Sequence, residues 1–158
     1  MKTLVLGIGN TLLKDEGVGV HVIRALRESA ASADGVDYLD GGTLSFTLAG
    51  PIEEAEQLIV VDAAELKAPL GTVHMLVGDE MDAFVSGNRK ASVHEVGLTD
   101  LMTIAKLTGR WPARRALVAI QPREVDWGEH CSSEVAAAVP EACRIVRDQL
   151  ERWRHGAC

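Results

Sequence analysis

The sequence predicts a single three-layer α/β domain over residues 1–158, with a mostly parallel, twisted sheet of about five strands flanked by helices. Three observations carry this. The apolar runs Thr3-Leu4-Val5-Leu6 and Leu58-Ile59-Val60-Val61 are continuous rather than alternating, as in strands buried on both faces of a parallel sheet. Strand-like stretches alternate with stretches of helical periodicity. No repeat, low-complexity tract or linker divides the chain, and 158 residues with 47 % hydrophobic content suffice for one real core.

The elements follow in order. Residues 2–8 read as a buried strand feeding a glycine-rich turn. A helix follows from about Gly17, with Val18, Val22, Ile23 and Leu26 on one face and Arg24, Arg27 and Glu28 off it. Residues 36–40 form a short second strand ending in Asp40-Gly41-Gly42-Thr43. Residues 44–49 suggest a helical turn stopped by Gly50-Pro51. Residues 57–62 make the third strand and 72–77 the fourth. A short helix is expected over 79–85, then a polar loop, 86–90. Ser92 and Glu95 have capping-box spacing, and Leu98, Leu101, Met102 and Ala105 form the inner stripe of the helix they would open. Residues 116–121 are the last strand. A final helix is expected after Pro140, a residue tolerated in a first turn, with Val139, Cys143, Val146, Leu150 and Trp153 at helical spacing.

Composition narrows the function classes. Sixteen basic against 23 acidic residues give a net charge of −7, which argues against nucleic acid and anionic membrane as partners. The one basic cluster, residues 110–115, is broken by Trp111 and Pro112 and reads as a solvated turn. Cys131, Cys143 and Cys158 are odd in number, widely spaced and without a CxxC pair, so neither a disulfide framework nor a zinc or redox motif is expected. No stretch approaches the ~18 apolar residues of a membrane span, and the N-terminus lacks the layout of a signal peptide. A cytoplasmic protein with free thiols is the expectation.

Three side chains carry the chemistry: Glu16, Asp62 and His94. Glu16 lies near the end of the glycine-rich loop, residues 7–19. Asp62 caps the third strand, where a carboxylate partly drawn from water needs a partner or a metal. His94 stands at the expected helix start, where the positive helix end favours the neutral imidazole that can ligate a metal. All three fall where parallel α/β folds place their sites, and two carboxylates with one imidazole form a mixed oxygen and nitrogen set for a borderline divalent ion. We expect them to converge on one cleft at the carboxyl edge of the sheet. Taken singly, each residue has a plain structural role available, and the glycines alone make a tight strand-to-helix turn. Nucleotide binding is a weak competitor: Leu12 occupies the third glycine position of the dinucleotide fingerprint, Asp15 and Glu16 would repel a pyrophosphate, and the Walker lysine is absent. His21 reads as surface and His74 as structural, while the adjacent His130 and Cys131 make a poor soft-ligand site.

With these motifs in hand, the chain resembles the maturation endopeptidases of [NiFe] hydrogenases, over nearly its whole length. The family's opening pattern is matched by Gly7, Gly9, Asn10, Leu12, Asp15, Glu16, Gly17 and Gly19, its second block by Asp40-Gly41-Gly42-Thr43, its strand-ending aspartate by Asp62, and its Ser-x-His block by Ser92 and His94. The resemblance implies that Glu16, Asp62 and His94 bind nickel and serve the catalytic site, with mechanistic roles left open. It implies that Asp40, Gly41, Gly42 and Thr43 form a flexible loop beside the substrate. The implied reaction is removal of a short C-terminal peptide from the hydrogenase large-subunit precursor after nickel insertion, by an aspartyl-type or metal-dependent endopeptidase. The nickel would be supplied by the substrate rather than held permanently, and Asp62, Glu16 or Asp40 would activate the water. Thr43-Leu44-Ser45-Phe46 departs from the Gly found after Asp-Gly-Gly-Thr-x in some relatives, which suggests a branch serving respiratory uptake hydrogenases. The alternative is a non-enzymatic nickel-binding chaperone or sensor for hydrogenase assembly using the same three residues.

Overall fold

The computed structural model describes residues 1–29, 35–43, 46–87, 97–123 and 127–156. Five strands form one sheet: β1 (Thr3–Ile8), β2 (Val36–Gly42), β3 (Gln57–Ala63), β4 (Val73–Val77) and β5 (Arg114–Ile120), in the order β2-β1-β3-β5-β4. All neighbours pair in parallel except β4, which runs antiparallel to β5 and forms one edge. The direction of β4 follows from its connection: a loop of residues 64–72 leaves β3 at the carboxyl edge of the sheet and enters β4 there, with no helix to return the chain.

Helices cover both faces. On one, α1 (Val18–Ser29) and α5 (Ser133–Arg154) pack Val22, Ile23, Leu26, Val135, Ala142 and Val146 against Val5, Ile59, Val61 and Val118. On the other, α2 (Ala49–Glu54), α3 (Asp79–Gly87) and α4 (Leu98–Leu107) set Ile52, Met81, Leu101 and Met102 on Leu4, Leu6, Leu58, Val60 and Leu117. Alternate residues of β1, β3 and β5 therefore enter two separate cores, which is why their sequences are apolar throughout. No described helix is long and apolar enough to cross a membrane.

Three expectations need correction. Gly50-Pro51 does not stop a helical turn: a 3₁₀ turn, Phe46–Leu48, leads directly into α2, where Pro51 is the third residue. The first four helical N–H groups have no partner within the helix, so proline loses nothing there. Pro140 does not begin the last helix either, but lies inside α5. An interior proline costs ~3 kcal/mol; here the turns before it are held by burial of Val135 and Ala138 and by Asp15, which grips Ser132 at the helix entrance. The basic cluster is not simply a solvated turn. Arg115 is mostly buried and forks onto Asp82 at 2.8 and 2.7 Å, and Asp82 also accepts from Trp111 at 3.0 Å and pairs with Lys106 at 3.2 Å. This network ties α3 and α4 to the start of β5.

The expected helix start at Ser92 and Glu95 lies outside the described residues. Within them, α4 begins at Leu98, with Asp100 accepting the Gly97 N–H at 2.8 Å and returning its own N–H to the Gly97 carbonyl at 3.0 Å.

Candidate active site

The chain leaves β1 for β2 on one side and returns across β1 to β3 on the other, so the sheet has a topological switch point between β1 and β3. Open α/β sheets form a crevice at the carboxyl ends of the strands at such a point. Glu16 lies in the turn that follows β1 and Asp62 in the end of β3, so the segments that carry these two carboxylates both border it.

The glycine-rich loop sets Glu16 there by close backbone approach. After β1 the chain folds into a 3₁₀ turn, Lys14–Gly17, that runs directly into α1 and packs on β3. Gly9 has φ +138°, and a β-carbon on it would overlap the Glu16 carbonyl. A β-carbon on Gly19 would overlap the Val61 carbonyl, one residue before Asp62. Both glycines thus let the start of α1 sit directly on the strand ends. They serve backbone proximity rather than a phosphate cradle.

Asp15 anchors the turn. It is fully buried and accepts hydrogen bonds from the Ser132 N–H at 2.6 Å, the Ser132 hydroxyl at 2.9 Å and the Arg123 N–H at 2.8 Å. One carboxylate therefore joins the loop after β1, the loop after β5 and the entrance of α5. In the sequence Asp15 stands only as one of an acidic pair in the glycine-rich pattern; nothing local marks partners 117 positions away.

Asp62 keeps 9 % of its surface exposed, less than an open cleft would give it. By strand alternation it shares the face of Leu58 and Val60, under α2, α3 and α4. The chain beyond it is held by Gln121, almost fully buried, which accepts from the Leu66 N–H at 2.7 Å and donates to Glu65 at 3.0 Å. That hydrogen bond, with a second from the Lys67 N–H, holds the exposed Glu65 carboxyl below its ordinary range. Gln121 is a second positioning residue that its place at a strand end did not distinguish.

Asp40, Gly41 and Gly42 are not a flexible loop. They belong to β2, with a bulge where Gly7 pairs with Asp40 and Ile8 with Gly42. Asp40 accepts the Gly42 N–H at 3.0 Å and pairs with Arg24 at 3.6 Å, while the Gly42 carbonyl accepts from Gly9 at 2.8 Å. Thr43 follows in a bend. This block therefore borders the same edge, on the far side of β1 from Asp62.

His94 and Ser92 lie outside the described residues. Among the described residues no three His, Cys, Asp or Glu side chains form a group able to hold a metal ion. His21 is not a surface residue: its Nε2 is buried without a hydrogen-bond partner among the described residues. Burial first, then Arg24 and His130, lower its pKa, against a smaller opposing pull from Asp40. His74, expected to be structural, is exposed on β4. The Cys131 thiol is pushed up to about 11 by burial and by Asp15, and it donates to the Lys14 carbonyl at 3.8 Å.

Known proteins share this architecture. A family model described as hydrogenase maturation protease, HycI, matches residues 20–149. The hydrogenase expression/formation protein HupD of Rhodobacter capsulatus is 38 % identical over 153 residues, covering 96 % of this chain and 72 % of that protein. The hydrogenase 2 maturation protease of Escherichia coli (strain K12) is 38 % identical over 128 residues, covering 80 % and 76 %. The solved hydrogenase maturating endopeptidase HybD from E. coli superposes with a TM-score of 0.88 at 33 % identity, over 96 % of this chain and 93 % of that one. With a matching protease model over most of its length and relatives above 30 % identity on both measures, the chain belongs to the hydrogenase maturation protease family and is a peptidase.

Proposed function

We propose that this endopeptidase removes the C-terminal extension of a [NiFe] hydrogenase large-subunit precursor after nickel insertion, reading the nickel in the substrate through Glu16, Asp62 and His94. The observation that supports this reading is that the turn after β1 and the end of β3, the segments carrying Glu16 and Asp62, both border the switch point. Two carboxylates and an imidazole leave coordination positions open, which suits an ion still held by the partner's own ligands. The nickel then belongs to the substrate and acts as a checkpoint: without it the precursor has no anchor beside the cutting groups.

Hydrolysis requires a water oxygen to add to the scissile carbonyl, its proton to pass to a base, and a proton to reach the departing amine. A carboxylate at this edge is a suitable base, and we assign the part to Asp62, nearly buried at the end of β3. Asp40, Gly41, Gly42 and Thr43 would border the extended substrate on the other side of β1. The protein would act in the cytoplasm.

The test is incubation with nickel-loaded and nickel-free precursor, followed by mass measurement of the precursor's C-terminus. Only the loaded form should be shortened, and His94→Ala should abolish shortening while leaving the melting temperature unchanged. Equal cleavage of both forms would remove nickel reading from the proposal. Full activity of His94→Ala would remove His94 from the site.

A further inference from the structure

The loop that follows Asp62 holds one carboxylate in a fixed place in water. Residues 64–72 leave β3 and enter β4 at the carboxyl edge, and the end of β5 braces them. The Ala64 N–H donates to the Ile120 carbonyl at 3.1 Å and the Gly71 N–H to the Gln121 carbonyl at 3.0 Å. The Gln121 side chain, 4 % exposed, completes the brace. Its Oε1 accepts the Leu66 N–H at 2.7 Å and the Ala68 N–H at 3.5 Å, and its Nε2 donates to the Pro122 carbonyl at 3.1 Å and to Glu65 at 3.0 Å. A side-chain amide has two donors and one acceptor oxygen with two lone pairs, so this one is used in full.

The bond to Glu65 differs from the other three. They hold backbone; this one, with the Lys67 N–H at 2.7 Å, orients the side chain of an exposed residue through both of its carboxylate oxygens. Lys67 supplies its N–H from φ +53°, a left-handed conformation disfavoured for lysine. Both donors are neutral. Among the described residues Glu65 forms no ion pair, and the Lys67 ammonium acts on it only through space. Fixing a surface carboxylate costs side-chain entropy. A negative charge so fixed, with no counter-charge, is a preorganised receptor for a cation.

We propose that Glu65 receives a lysine or arginine side chain of the precursor polypeptide and so sets where that chain lies across the cutting edge, an inference that rests on the function proposed above. The occupant follows from charge. The segments carrying Glu16, Asp40 and Asp62 border the same edge, and the whole chain carries −7, so a substrate segment meets a negative field that favours a basic side chain and repels an acidic one. Three residues, about 11 Å of chain at most, separate Glu65 from Asp62, so the cation is held within a few residues of the bond being cut. Glu65 acts in binding and governs KM rather than the chemical step.

Steady-state processing of nickel-loaded precursor tests this with Glu65→Gln, Glu65→Lys and, on the exposed side of α5, Glu141→Gln. Loss of the charge should raise KM about three- to five-fold, the range of an exposed ion pair, and its reversal about ten-fold or more, with kcat nearly constant. High salt should narrow the gap between Glu65→Gln and the wild type. Glu141→Gln should match the wild type. Among precursors in which single Lys or Arg residues near the extension are changed to Glu, one should be processed better by Glu65→Lys than by the wild-type enzyme. Wild-type KM in Glu65→Lys, or a panel without such a rescued precursor, overturns the proposal. So does a KM rise that salt leaves unchanged and that comes with a lower melting temperature and kcat, which would make Glu65 a brace of its own loop. A wild-type enzyme that does not shorten the precursor removes the functional reading and this inference with it.

Discussion

Asp15→Asn is the most informative single substitution in this protein. The change keeps the shape of the side chain and removes its charge and one acceptor oxygen. Oδ1 accepts the Ser132 N–H, while Oδ2 accepts the Arg123 N–H and the Ser132 hydroxyl. The least damaging orientation puts the new amide nitrogen at the Oδ2 position. The Ser132 N–H bond then survives, the Ser132 hydroxyl rotates to accept, and the Arg123 N–H faces another donor. One charge-assisted bond is lost, worth about 1.5–3 kcal/mol, and two fall from charged to neutral strength at about 1 kcal/mol each. The expected loss is about 3–5 kcal/mol, a large part of the 5–15 kcal/mol typical of a domain, so the variant should fold but with little margin. Urea unfolding with a two-state fit measures it. Peptidase activity should fall as well, because the turn carrying Glu16 loses its tie to two other loops. Ser132→Ala, which removes only the hydroxyl bond to the charged carboxylate, should cost about 1.5–3 kcal/mol and be partly non-additive with Asp15→Asn, which has already weakened that bond. A loss below about 1 kcal/mol for Asp15→Asn, or simple additivity of the pair, would refute the anchor.

Three further outcomes are expected. Gly19→Ala should destabilise by about 3 kcal/mol or more in the same urea experiment, because its β-carbon meets the Val61 and Ile8 carbonyls, which cannot turn aside. Asp82→Asn should cost about 2–4 kcal/mol by breaking the mostly buried fork with Arg115. Burial alone would raise the Asp82 pKa, but Arg115, Trp111 and Lys106 outweigh it and hold it below the ordinary 3.8. The stability this carboxylate contributes is therefore complete above that value and fades only as pH falls through the lower folded one, so melts at pH 7 and pH 5 should show the same difference between variant and wild type. His21 behaves oppositely to a histidine that gains a charged partner. Its pKa is lowered from 6.5, chiefly by burial and then by Arg24 and His130, so the unfolded chain takes up its proton first. Stability should begin to fall as pH drops through 6.5, and His21→Gln should remove that part of the pH dependence of the melting temperature.

The strand and helix framework was legible because each signal was local. Continuous apolar runs marked β1 and β3, and the Val18, Val22, Ile23 and Leu26 stripe marked the buried face of α1. The turn after β1 that carries Glu16 and the strand end that carries Asp62 followed from the same patterns. What escaped notice depends on distant partners. The antiparallel course of β4 is set by a connection without a helix, not by its five residues. Pro140 is carried inside α5 by packing and by the Asp15 anchor, neither visible from a proline's own preferences. His21 looked like a surface residue because its neighbours Arg24 and Arg27 are charged, yet its ring is partly buried and feels the charges of Asp40 and His130, which no helical periodicity can announce.

The reach of the Asp15 anchor bears on how the protein comes off the ribosome. Its carboxylate closes contacts 108 and 117 residues along the chain, and β5, the strand beneath the Arg123 loop, inserts between β3 and the earlier-made β4. Such long closures form late, after their loop entropy has been met by other contacts. The first strands and α1 can associate during synthesis, but the turn bearing Glu16 gains its footing only when the last third of the chain has emerged. A polypeptide that has not yet emerged through Ser132 thus lacks the tie that fixes the turn bearing Glu16.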